Sequence, residues 1–153
     1  MKLILYNALI KPYMEYGIEL WGLAKVKQLK KINKLNKMAI RMVFNKLRKD
    51  PISDLMMSNR ILTFKMLHKY SLLKLGYEIA NKYSPTSLQC IFELEDPTSR
   101  RSLNFKIPYL ISNLRKFPKF TLPKQWNLLD DAYKGISTLN LFKRSTKLHL
   151  LNA

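Results

Sequence analysis

Between Lys25 and Asn45 the apolar residues Val26, Leu29, Ile32, Leu35, Ala39, Met42 and Val43 recur at spacings of three and four, the period that an α-helix gathers onto one side. The remaining circumference is cationic. It carries Lys25, Lys27, Lys30, Lys31, Lys34, Lys37 and Arg41, and Lys46, Arg48 and Lys49 follow, with no acidic residue from Lys25 to Lys49. A helix of this kind must lay its apolar side on other amphipathic elements, so the expected fold is mainly α.

Those other elements are readable on either side. Leu5, Leu9, Tyr13 and Tyr16 keep helical spacing, with Pro12 bending or restarting the helix and Gly17 and Gly22 loosening it. Tyr13, Tyr16 and Trp21 read as packing residues of this first segment. Asp50 and Pro51 read as an N-cap and first helical residue, opening a short helix to about Met57. A long helix is predicted from Arg60 to about Tyr83, weakened near its end by Gly76 and stopped by Ser84 and Pro85. Alternation over Leu103 to Ile107 and Arg115 to Leu122 predicts two short strands, a β-ribbon. Pro123 then suits the start of a helix to about Tyr133, and Ser137 or Thr138 the cap of a last helix to about Leu150. The chain divides on this reading into a helical segment, 1–84, and a basic extension, 85–153.

The 28 Lys and Arg against 10 Asp and Glu give +18, an excess that repels itself unless a polyanion offsets it. A nucleic acid is the natural polyanion, and lysines along one helix side can follow its phosphates without reading sequence. A lysine-rich side that merely keeps the protein soluble is the plainer alternative. A second basic stretch, Arg100, Arg101, Lys106, Arg115, Lys116, Lys119 and Lys124, is interleaved with Phe105, Tyr109, Phe117 and Phe120, a mixture suited to stacking on single strands unless the phenylalanines are core. The candidate nucleic-acid-binding residues are therefore Lys25, Lys27, Lys30, Lys31, Lys34, Lys37, Arg41, Arg100 and Arg101.

Catalytic patterns are absent from the sequence. A lone Cys90 and the two histidines, His68 and His149, make no zinc spacing, and the four scattered glycines make no phosphate loop. Asp130 and Asp131 are adjacent but fall on a predicted helix end, so no metal site is expected there. Neither a membrane-spanning run of ~20 apolar residues nor a signal peptide is read, and the expected setting is intracellular, nuclear or cytoplasmic.

Two clusters carry a resemblance to a known family. The first is Leu5, Tyr6, Leu9, Ile10, Pro12, Tyr13, Tyr16, Gly17, Ile18, Trp21 and Gly22; the second is Pro123, Trp126, Asn127, Leu129, Phe142, Lys143, Lys147 and Leu148. Together with Met38 to Arg41 and the Ser99, Arg100 pair, in this order, they resemble the region after the catalytic palm in reverse transcriptases of non-LTR retrotransposons of the jockey and CR1 type. The resemblance implies a helical thumb-like bundle, then a short β-ribbon and two C-terminal helices. It implies that Trp126 and Asn127 start a helix packed on the preceding extended segment. It also implies a partner, an RNA/DNA template-primer, and the palm of the parent RNA-directed DNA polymerase as a second. Magnesium is expected only in that palm, outside this chain, so no cofactor and no catalytic residue are expected here.

Overall fold

A computed structural model describes residues 2–95, 103–109 and 117–152. The protein is mainly helical, with no strand among the described residues. It divides into two compact units, Met1–His68 and Lys69–Ala153.

In the first unit, α1 (Lys2–Leu5), a wide π-turn (Tyr6–Ile10) and α2 (Lys11–Glu15) follow one another without a break. Pro12 has no N–H to give and would clash with a regular preceding turn. The π-turn absorbs it, with the Lys11 N–H donating five residues back to the Tyr6 carbonyl. Gly17, at φ +63°, then takes the left-handed conformation that ends α2 and opens α3 (Ile18–Trp21). Trp21 packs on Phe64 at 5.3 Å between ring centroids, as expected of a packing residue. Tyr13 and Tyr16 do not: both are exposed, because the helix turns Leu3, Tyr6 and Ile10 inward instead.

Helix α4 (Val26–Val43) and α5 (Ser53–Ser58) complete this unit around a core of Tyr6, Ile40, Ile52 and Met56. The inward line of α4 is offset from the apolar stripe read in the sequence. It runs through Leu29, Asn36, Ile40 and Val43, while Val26, Leu35 and Met42 are exposed. A polar side chain takes the centre because the Tyr6 hydroxyl donates to Asn36 Oδ1 at 2.8 Å, satisfying both buried groups. Burial raises the Tyr6 pKa from its ordinary value, opposed by that bond. The Asp50 carboxylate accepts the Leu47 N–H at 2.9 Å and closes a turn, so the short helix starts at Ser53 and not at Pro51.

Helix α6 (Phe64–Ala80) begins four residues later than predicted, since Arg60 sits at φ +53° and breaks the run. From residue 69 onward it belongs to the second unit, with α7 (Thr86–Ile91), α8 (Pro118–Asn127), α9 (Asp131–Lys134) and α10 (Leu139–Asn152). The core there is aromatic. Trp126, Tyr77, Phe105 and Phe142 are fully buried, with Tyr77 stacked on Phe142 at 4.4 Å and Phe105 edge-on to Trp126 at 5.8 Å. Phe120 is half-buried and Phe117 exposed. Gly76 serves this core: a Cβ there would stand 2.8 Å from Trp126 Cε3.

The expected β-ribbon does not form among the described residues. The segment around Phe105 is extended, but it makes a single antiparallel bridge, with Leu94. Its other edge is met by a side chain: Asn127 Oδ1 accepts the Phe105 N–H at 3.0 Å and its amide donates to the Phe105 carbonyl at 2.8 Å. Of the second predicted strand Arg115 and Lys116 lie outside the described residues, and from Pro118 onward it is helical, because Pro118 takes the first turn of α8, which places Pro123 inside that helix. Trp126 and Asn127 accordingly end a helix packed on the extended segment, where a helix start was expected. The Trp126 indole N–H donates to the Leu103 carbonyl at 2.5 Å.

Candidate nucleic-acid interface

Helix α4 positions the cations by its period alone. At about 100° and 1.5 Å per residue, Lys27, Lys30, Lys34, Lys37 and Arg41 fall within an arc of roughly 80° and a column about 21 Å long. Lys31 lies about 40° beyond. This arc is on the solvent side of α4, away from the Asn36 and Ile40 line, and Lys27, Lys30, Lys31, Lys34 and Lys37 are all exposed. Lys25 is exposed too but precedes the helix, at the N-cap position with extended backbone, so it is outside the column.

Among the described residues no carboxylate pairs with the cations of this face. The ion pairs found among the described residues are Lys11 with Glu15, Lys74 with Glu78, Lys106 with Glu93 and Lys134 with Asp131, none of them on α4. Arg41 is half-buried, its guanidinium donating to the Asp50 carbonyl at 3.2 and 3.3 Å. That tie fixes the loop carrying exposed Lys46, Arg48 and Lys49 to the end of the column. A carbonyl oxygen is only a dipole, so this tie does not cancel the charge of Arg41.

Beside the cations runs a second column that the apolar stripe of the sequence concealed. Met38, Met42 and Leu35 are exposed, on the arc adjoining Lys27 and Lys31. The face is thus half cationic and half aliphatic.

The second basic stretch is divided. Arg100, Arg101, Arg115 and Lys116 lie outside the described residues. Lys106 pairs with Glu93 at 3.5 Å, and Phe105 is core, so of the aromatics only Tyr109 and Phe117 remain exposed for stacking. Lys119 and Lys124 are exposed on α8.

Asp130 and Asp131 have structural occupations. Asp130 caps α9 through the Ala132 N–H at 2.9 Å, and Asp131 accepts from Lys134 Nζ at 2.9 Å. Lys134, buried and unremarked in the sequence, also donates to Asn104 Oδ1 at 3.0 Å. With an ammonium already on one carboxylate and a peptide N–H on the other, this pair does not fit a magnesium ion. No group of three His, Cys, Asp or Glu side chains that could hold a metal occurs among the described residues. Nor is any described helix long and apolar enough to cross a membrane. Comparison with protein-family models, with curated proteins and with solved structures returned no match.

Proposed function

We propose that this chain binds nucleic acid without regard to sequence, through the cationic column of α4. The observation that carries the reading is the alignment of exposed Lys27, Lys30, Lys34 and Lys37 with half-buried Arg41 along one side of α4, in none of the ion pairs found among the described residues. Charges in register along a rigid rod offer a phosphate backbone several contacts at once, and each displaces a condensed counterion. Nothing on that line is shaped to read base edges, so affinity should be nearly independent of sequence. This is the property required of a polymerase thumb, and it agrees with the resemblance to the post-palm region of a non-LTR retrotransposon reverse transcriptase. On that reading the chain holds a template-primer for a palm located elsewhere and carries out no chemistry itself.

Fluorescence anisotropy with a labelled RNA/DNA hybrid tests it. Two hybrids of unrelated sequence are expected to bind within about threefold of each other, because the contacts are to phosphates. A sequence preference of a hundredfold or more would contradict the reading.

The aliphatic column of Leu35, Met38 and Met42 favours a second reading. A basic helical interaction module would use the same face for an acidic amphipathic helix, whose apolar side covers those residues. The two readings separate by competition. Excess mixed-sequence nucleic acid displaces an acidic helical peptide from a nucleic-acid site and fails to displace it from a dedicated peptide site.

A further inference from the structure

A different surface of the first unit is apolar and exposed. Along the continuous helical run from Lys2 to Glu15, Leu3, Tyr6 and Ile10 turn toward α4, and the side turned away from them is almost wholly apolar and is exposed among the described residues. Ile4 is 70 % exposed, Leu5 51 %, Leu9 60 %, Tyr13 83 % and, just after the run, Tyr16 86 %. Leu5, Leu9 and Tyr13 are four residues apart, the ridge by which one helix seats against another.

Electrostatics sets this ridge apart from the rest of the chain. The first 24 residues contain two lysines, Lys2 and Lys11, and two glutamates, Glu15 and Glu19, and so are neutral in a chain of +18. Lys11 and Glu15 also pair at 3.5 Å. A nucleic acid or an acidic protein gains nothing here. What fits is an equally uncharged apolar ridge, and the chain itself presents one.

We propose that the Leu5, Leu9, Tyr13 ridge is a two-fold interface between two copies of this chain. Its area is sufficient. Tyrosines so exposed offer roughly 300 Å² between them, and the three aliphatic residues on the order of 200 Å² more. A standard specific interface covers about 800 Å² per partner, of which about 60 % is apolar, or roughly 500 Å². The ridge pairs like with like, as an isologous contact requires, and it meets no charge of its own sign. The cationic column lies on α4's solvent side and the ridge on the solvent side of the helix packed against α4. A dimer through the ridge therefore leaves the column of each copy accessible.

This interface and the cationic column respond oppositely to salt. Two chains of +18 repel one another, and screening removes that repulsion. The dimer should therefore tighten as salt rises, whereas binding of a polyanion weakens.

The test is sedimentation equilibrium on the full chain, freed of nucleic acid, at low and high NaCl. The expected result is a reversible monomer–dimer equilibrium, stronger at high salt. Leu9→Lys with Tyr13→Lys should weaken it at least a hundredfold while leaving the far-ultraviolet circular dichroism unchanged, since both side chains are exposed. A second variant, Tyr109→Lys, exposed in the other unit, should dimerise like the parent. A monomer at every salt and concentration overturns the proposal. So do a dimer that survives the double substitution, open-ended oligomers, or a monomeric protein that sediments with neutral phosphatidylcholine vesicles.

Discussion

Gly76→Ala should destabilise the protein although it replaces the poorer helix former with the best one. In an open helix interior the change is worth about 1 kcal/mol in favour of alanine. Here the new methyl would stand 2.8 Å from Trp126 Cε3 and 3.3 Å from Cδ2. The indole is tied in place: its N–H is held by the Leu103 carbonyl at 2.5 Å, and Phe105 and Phe142 pack on it at 5.8 and 6.0 Å between ring centroids. Overpacking of this kind costs about 1–3 kcal/mol, so the net expectation is a loss of about 1 kcal/mol. With a urea m-value of about 2 kcal/mol/M, the midpoint falls by about 0.5 M. Gly135→Ala is the control. Its Cβ would meet only the Asp131 carbonyl at 3.5 Å, ordinary contact, at a φ of −78° that alanine accepts. It should be neutral or stabilising by about 0.4–1 kcal/mol. Both glycines lie in the second unit and report on the same transition. Equal stabilisation by the two substitutions would refute the close approach of α6 to Trp126.

Three further outcomes are expected. Tyr6→Phe leaves the buried Asn36 carbonyl without its donor and should cost about 1–3 kcal/mol in urea denaturation, whereas Tyr6→Phe with Asn36→Leu should cost distinctly less, since neither polar group is then left unpaired. Asn127→Ala strips both bonds from the Phe105 backbone, and hydrogen exchange of the Phe105 amide should accelerate at least tenfold, corresponding to roughly 1.4 kcal/mol or more of lost local stability. Burial lowers the His68 pKa from 6.5, against the opposing influence of the Glu19 carbonyl and charge, and its buried Nε2 has no hydrogen-bond partner among the described residues. The unfolded chain therefore binds the proton more readily, so this contribution is present above pH 6.5 and is lost as pH falls through the lower folded value. In His68→Gln the stability of the first unit should vary less over that window, and an unchanged pH profile would count against the assignment.

Helical content was readable wherever periodicity was strong, and α4 is the clearest case: its limits, its cations and their common side all follow from spacing. Which apolar residues of α4 turn inward did not follow. Leu35 and Met42 look as buriable as Leu29 and Ile40, and the choice is made by a hydroxyl thirty residues away, Tyr6 on Asn36. The expected ribbon gives way for a related reason. Alternation over Leu103 to Ile107 does signal extended backbone, but Asn127, a side chain, supplies the pairing that a second strand would have given. Pro118 and Pro123 both satisfy the rule for a helix start, and local sequence does not rank them; α8 begins at the first. Gly76 and Lys134 were unreadable in principle, because one is required by the face of Trp126 and the other by Asn104 and Asp131, contacts that exist only once the chain has folded.

The central claim, that α4 meets a phosphate backbone through its cationic column, is tested most directly by the salt dependence of binding to an RNA/DNA hybrid. Five neutralised phosphates predict a slope of log K against log salt of about −4.5. Changing Lys27, Lys30, Lys34 and Lys37 together to Gln should flatten that slope by about 3.5, with helicity retained because all four side chains are exposed. A wild-type slope near zero, or a quadruple variant with the parent's slope, would contradict it.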